Sequence, residues 1–471
     1  MRLWLLFLAA AAALPAQDGV LARVAAHSDR FGAISRDIWE FAETGFHEGK
    51  SAALLAGELR RAGFTVQEGT AGMPTAFVAA WGRGKPVIGI LGEYDALPGM
   101  SQQDVARQQP RTAGAPGHAC GHNLLGSAAA LAAIAVKEEM EARGLAGTIR
   151  FYGTPAEEGG AGKVYMLHAG AFRDVDAVLA WHPGDGNRAN LRSCLANDIG
   201  KFRFFGKAAH AAMSPDMGRS ALDGLMLAAH AIEMLREHVP QETRMHYIVS
   251  NGGSAPNIVP AFAELHMVAR HPDAATLAGI WERILKCAQA GALATETRVE
   301  TELLSSYANI LPNDALTALV ARNLRRAGGY RYTPEERQFA AEIQKTLPGA
   351  AGKPGPEEIS TEAPEGADPY STDVGDVSWN VPTIQFNTAT YAPGTPAHSW
   401  QSAACAGMSI GRNGMLVAAR TLALSAVDLL EHPGEVAAAR ASFEKRRTGR
   451  AWPTLIPVTA KPPVDGPGSP R

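Results

Sequence analysis

Basic excess, cysteine and long apolar runs are what this sequence has little of. Lysine and arginine number 44 against 47 aspartates and glutamates, a formal net charge of −3. One short basic tract stands at 445–450, and it reads as the solvated end of a helix. Nothing here gives the electrostatic footprint of a nucleic-acid binder. Only four cysteines occur in 471 residues: Cys120, Cys194, Cys287 and Cys405. Their wide, irregular spacing excludes a disulfide scaffold. Cys194, Cys287 and Cys405 read as small buried apolar residues. Past the N-terminus no run is long and apolar enough to be expected to span a bilayer.

The N-terminus itself is different. Arg2 gives a positive start, Leu3 to Leu14 is apolar, and Ala16 offers a small residue for cleavage. Residues 1–17 read as a signal peptide, so a soluble exported protein, periplasmic or secreted, is expected. The alternative is an N-terminal core helix and a cytoplasmic chain. No cysteine follows closely, which argues against a lipid anchor.

Apolar spacing predicts helices over 20–42 and 51–62, and β-rich runs at 64–66, 76–81 and 87–91. A loop rich in glycine, proline and glutamine fills 98–117. An alanine-rich helix over 124–143 closes on Gly144, before strand 148–152, a helix near 163–168 and strand 177–181. Alternating strands and helices predict an α/β layer on a largely parallel sheet. From about 187 the pattern turns to α+β: two strands, helix 220–237, strands 245–249 and 263–268, helix 274–292 and strand 297–303. The expected organisation is therefore an α/β unit in two parts, 18–190 and 309–447, interrupted by an α+β domain at 191–308. Within the second part 332–369 reads as a surface insertion, and 448–471 as a proline-rich, loosely held tail.

Four short segments each follow a predicted strand or open a helix. They are Gly117-His118-Ala119-Cys120-Gly121-His122-Asn123, Pro155-Ala156-Glu157-Glu158-Gly159-Gly160, Trp181-His182-Pro183 and Pro396-Ala397-His398-Ser399-Trp400. Ligands bind in open α/β sheets beyond the carboxyl ends of the strands, so one topology would unite all four. Thiolate, imidazole and carboxylate are the donors of zinc-like ions, and manganese or cobalt tolerates mixed sets. A Cys-x-His pair is too close to share one helix face, but it suits a turn around an ion at a helix start. In an extended segment adjacent glutamates point to opposite sides. One can then hold metal while the other, Glu157, serves as general base. Asp95 ends another strand and is a candidate for orienting His122. His118 reads as a supporting or structural residue. Trp400, Trp379 and Tyr94 could stack an aromatic group, or simply fill the core.

At these residues the chain resembles the aminoacylase and glutamate-carboxypeptidase superfamily of metallopeptidases, in its amidohydrolase branch. The similarity runs from about 18 to 432. It includes Glu93-Tyr94-Asp95-Ala96-Leu97-Pro98-Gly99, His398-Ser399-Trp400-Gln401 and the stretch from Tyr370 to Trp379. The resemblance implies a zinc-peptidase-like α/β domain with a mixed sheet and helices on both faces, interrupted by an α+β lid that dimerises. It implies Cys120, His122, Glu158, His182 and His398 as ligands of two divalent ions, manganese or zinc with cobalt a third option, and Glu157 as the base. His210 would reach the partner subunit's site and help bind the oxyanion. Asn257 and Arg270 would take the substrate's α-carboxylate. Two departures stand out: Cys120 replaces a bridging aspartate, and Glu93 stands where the wider superfamily has histidine. The implied substrate is a small amino-acid conjugate, p-aminobenzoyl-glutamate or another N-acyl amino acid or dipeptide. The implied assembly is a homodimer, with a second, non-identical subunit possible. A non-catalytic partner subunit or binding module is the alternative of another class.

Overall fold

The computed structural model describes residues 18–189, 191–350, 352–360 and 365–464. The expected signal peptide at 1–17 lies outside them. Helices α1 (Asp18–Phe41) and α2 (Gly49–Arg61) precede strands β1 (Thr65–Glu68), β2 (Phe77–Arg83) and β3 (Val87–Gly92). Next come α3 (His122–Arg143), β4 (Gly147–Gly153), α4 (Gly162–His168), β5 (Ala177–Gly184), β6 (Asn187–Arg188) and β7 (Ser193–Cys194). The middle of the chain forms β8 (Ala196–Phe205), α5 (Ala221–Leu235), β9 (Arg244–Asn251), β10 (Phe262–His271), α6 (Ala274–Ala294) and β11 (Arg298–Tyr307). It continues through α7 (Asp314–Ala327), α8 (Pro334–Gln344), β12 (Ile359–Ser360), β13 (Ala367–Asp368) and α9 (Val374–Ser378). Strand β14 (Thr383–Ala389) and helices α10 (Trp400–Gly407), α11 (Ser409–Glu431) and α12 (Pro433–Arg447) follow.

The main sheet runs β1-β2-β4-β3-β5-β14-β6-β12. Its four inner strands β4, β3, β5 and β14 are parallel, and antiparallel pairings toward the edges make the sheet mixed. Inner parallel strands are buried on both faces and read as continuous apolar runs. Ile88, Ile90, Leu179 and Trp181 face the core beneath α1, α3 and α11, while Val87, Leu91, Val178 and Ala180 face α4 and α9. The alanine run of α3 follows from its place between α1, α11 and the sheet, since a helix packed on all sides has no room for bulk. Among the described helices α11 is long and apolar enough to cross a membrane, which the sequence reading did not flag. It is mostly buried against α3 and α7, so its apolarity belongs to the core.

A second, antiparallel sheet, β11-β8-β10-β9, carries α5 and α6 on one face over a core of its own, including Phe202, Phe204, Leu265 and Trp281. Where two strands are expected ahead of α5, one long strand β8 stands, and Asn187–Arg188 instead joins β14 in the main sheet. The 332–369 stretch is less superficial than expected. Helix α8 buries Phe339 and Ile343 against Tyr391, Cys405 and Ile410, and β12 adds an edge strand beside β6. The described part of the C-terminal tail is not loose either. The Trp452 indole donates to Asp376 at 2.7 Å, and Ile456 is buried with Phe46, Tyr165 and Tyr307. Burial of Ile456 and partial burial of Trp452 offset entropy lost in ordering a proline-rich segment.

Candidate metal centre

The carboxyl ends of β3, β4, β5 and β14 lie side by side, and each carries part of one cluster. Glu93 and Asp95 follow β3, Glu157 and Glu158 follow β4, His182 lies within β5, and His398 sits on the loop after β14. Cys120 and His122 arrive at the start of α3. Gly121 precedes that helix in the left-handed region (φ 75°), where a Cβ would meet the Tyr391 hydroxyl at 2.9 Å and Pro183 at 3.0 Å. Glycine therefore permits the tight turn between the two donors. Residues 157–160 also form a turn, not the extended segment expected, with Ala156 at φ 57° bending the chain off β4. The adjacent carboxylates still diverge. Glu157 groups with Glu93 and His122, and Glu158 with Cys120 and His398.

The geometry is compact. The Cys120 Sγ lies 3.3 Å from His182 Nε2. Glu158 reaches His398 Nε2 at 3.5 Å with one oxygen and His122 Nε2 at 4.0 Å with the other. The donor atoms of Cys120, His122 and His182 lie within 4.8 Å of one another, as do those of Cys120, Glu158 and His398. Three of the donor atoms, His122 Nε2, Glu158 Oε1 and Glu93 Oε2, are buried without a hydrogen-bond partner among the described residues. Such atoms cost about 1–3 kcal/mol each when left unsatisfied. Their convergence with a thiol and two further imidazoles fits divalent ions.

Supporting bonds fix the imidazoles. His122 Nδ1–H donates to Asp95 Oδ1 at 2.8 Å, and the other Asp95 oxygen accepts from the Glu158 backbone at 2.9 Å. One carboxylate thus contacts two candidate ligands, the expected His122 and also Glu158. His182 Nδ1–H donates to the Pro183 carbonyl at 2.8 Å, leaving Nε2 aimed at the cluster. Burial, then the charge of His122, lowers the His182 pKa to about 4, so its ring is a neutral donor. Burial, then the charges of Glu93, Glu158 and Asp373, pushes Glu157 well above the usual carboxylate range. That is the direction a proton acceptor near neutral pH requires. His118 bonds the Ile38 carbonyl at 3.0 Å and is structural.

Sequence reasoning missed a triad beneath the site. Lys163 is fully buried, with Nζ 2.7 Å from Glu93 Oε1 and 2.6 Å from Asp373 Oδ1. Burial opposes its charge, but the two carboxylates outweigh that and raise its pKa. The triad holds Glu93 with its free oxygen 3.3 Å from His122 Nε2. A lysine opening a helix after Glu-Glu-Gly-Gly carried no such signal; Glu93 was visible only as a departure from histidine.

A cleft of about 530 Å³ opens onto the cluster, lined by Cys120, Glu157, Glu158, His182 and His398 together with Arg270 from β10. Its aromatic walls are Tyr307, Tyr370 and Tyr391. Trp379 and Tyr94 are core residues and Trp400 packs beside α8, so none of the three serves as a stacking platform. His210 and Asn257 are not in this cleft. Both are exposed on adjoining loops of the second unit, joined where the Ala211 backbone donates to the Asn257 carbonyl at 3.0 Å.

Comparison with known proteins identifies the family. The chain is 42% identical over 439 residues to a p-aminobenzoyl-glutamate hydrolase subunit of Escherichia coli, covering 87% of this chain and 91% of that protein. It is 31% identical to a mouse Xaa-Arg dipeptidase over 438 residues, 90% of each. The fold matches the YXEP protein of Bacillus subtilis, described as a dinuclear metal binding peptidase, with a TM-score of 0.58 at 18% identity over 86% of this chain and 99% of that one. The model of peptidase family M20/M25/M40 matches residues 89–399, a span holding Cys120, His122, Glu157, Glu158, His182 and His398. This chain is a metal-dependent amidohydrolase belonging to that family.

Proposed function

We propose that the protein hydrolyses the amide bond of N-acyl or N-aroyl amino acids, with p-aminobenzoyl-glutamate as the reference substrate. The observation that carries this reading is the convergence of five donor side chains beside Glu157, with Arg270 in the same cleft. Cys120, His122, Glu158, His182 and His398 would hold two divalent ions, manganese or zinc with cobalt a third option. When bound, these would supply Lewis acidity to the scissile carbonyl and to water. Glu157 takes a proton from the attacking water and returns it to the leaving amine. Arg270 holds the amino acid's α-carboxylate through two parallel hydrogen bonds.

His210 and Asn257 serve a second copy's site in a homodimer, His210 donating to the oxyanion and Asn257 to the carboxylate. The edge of β9, unpaired among the described residues, and the exposed Ile248 on it support pairing through this unit, as do the exposed Met226 and Met234 of α5. We also propose export, on the strength of residues 1–17. Amino-terminal sequencing of the mature chain checks this: an intact Met1 would place the protein in the cytoplasm instead.

Two other readings have support. The likeness to an Xaa-Arg dipeptidase favours a dipeptide substrate. The name of the bacterial relative, which makes it one subunit of its hydrolase, favours a second, non-identical partner, with this chain contributing little turnover alone. One panel separates all three. Purified chain is loaded with manganese, zinc or cobalt and offered p-aminobenzoyl-glutamate, N-acetyl-glutamate and Ala-Arg. Turnover of the first two is expected. Turnover of Ala-Arg alone supports the dipeptidase, and activity appearing only with a second, different chain supports the heteromer.

A further inference from the structure

The metal cleft has an adjoining cavity. A cavity of about 480 Å³ shares Glu158, Gly159 and Ile199 with that cleft, but Arg270 takes no part in it. Its apolar walls include Phe46 and Tyr165 from the main unit and Leu303 from β11. The C-terminal segment adds Ile456, Pro457, Ala460 and Lys461, and His266, Glu302 and Ser305 make a polar part of the rim.

The segment is held in place. Beyond the Trp452 indole bond to Asp376, the Leu455 backbone donates to Ser306 at 3.4 Å, and Arg450 reaches Asp273 at 3.3 Å. Ala460 closes a turn onto the Pro457 carbonyl at 2.9 Å. The tail therefore spans both units before lining the cavity.

We propose that residues 456–463 wall the subsite for the acyl group of the substrate, so that the C-terminal segment sets acyl preference toward flat, aromatic groups. This rests on the N-acyl amino acid reading above. An amide whose carbonyl lies at the donor cluster and whose carboxylate meets Arg270 must send its acyl group away from Arg270. The tail cavity adjoins Glu158 on a side that Arg270 does not line, and it offers two aromatic rings for an aroyl group. Its volume admits a ring where an acetyl group would leave most of the space unfilled.

The test uses the full chain, metal-loaded, on N-acetyl-, p-aminobenzoyl- and 2-naphthoyl-glutamate, which share one leaving amino acid. Ala460→Trp fills the cavity from a half-exposed position. It is expected to lower kcat/KM for the two aroyl substrates about tenfold or more, while the acetyl substrate changes less than about threefold. Ile456→Ala enlarges it and is expected to raise the naphthoyl-to-aminobenzoyl ratio about fivefold. Parallel changes across all three substrates, or unchanged ratios in both variants, overturn the subsite while leaving the amidohydrolase reading intact. A wild-type enzyme inactive on all three overturns that reading and the subsite with it.

Discussion

The two units of this molecule place their unusual chemistry on opposite sides of their surfaces. At the strand ends of the main sheet, acids, imidazoles, a thiol and a lysine are gathered, most of them inside, and several polar atoms there lack a partner among the described residues. The second unit keeps a conventional core under α5 and α6 and displays apolar side chains outward, Met213 at 83% exposure and Ile248 at 63%. Polar groups buried without partners and apolar groups exposed without cover are both costly alone. The lesson is that the two units leave opposite surfaces unsatisfied: the first converges donor atoms that could hold ions, and the second leaves apolar side chains in solvent.

The sharpest separation of chemistry from architecture is Glu157→Ala. Turnover of p-aminobenzoyl-glutamate is expected to fall by about 10²–10⁴, with metal content by elemental analysis staying near wild type. Lost metal in that variant would make Glu157 a ligand. Next in size, Lys163→Met leaves Glu93 and Asp373 facing each other without their shared cation. About 3–5 kcal/mol of unfolding free energy should disappear in urea titrations, and a loss under about 1 kcal/mol would show the triad to be dispensable. Asp95→Asn should weaken metal binding by about 10–100-fold in chelator competition, because the His122 and Glu158 contacts share that carboxylate. Smallest for the fold is Ile248→Glu on the exposed strand. It should move unfolding free energy by less than about 0.5 kcal/mol yet shift the protein to monomer in sedimentation. A variant that stays associated would break the contrast between the two units.

Much of this was legible in the sequence, for physical reasons. The inner strands announce themselves because burial on both faces leaves only apolar residues at 87–91 and 177–181. The metal-ligand candidates follow from donor chemistry placed at strand ends, and the structure gathers all five. Other features depend on contacts between segments far apart in sequence. Lys163 looks like any helix-opening lysine until Glu93 and Asp373, 210 residues away, close on it. The tail reads as disordered by composition, because nothing local shows that Trp452 will find Asp376. The turn at 157–160 was hidden by the left-handed Ala156, a conformation composition does not signal.

Strand β14 lies between β5 and β6 in the main sheet. On the ribosome β5 therefore emerges roughly 200 residues before its permanent neighbour, a wait of about 10–40 s at ordinary synthesis rates. Throughout that interval an apolar strand edge stands open while the intervening unit folds. Nascent chains of this protein should be strong clients of holding chaperones, and His398 can join its fellow donors only after β14 has been made.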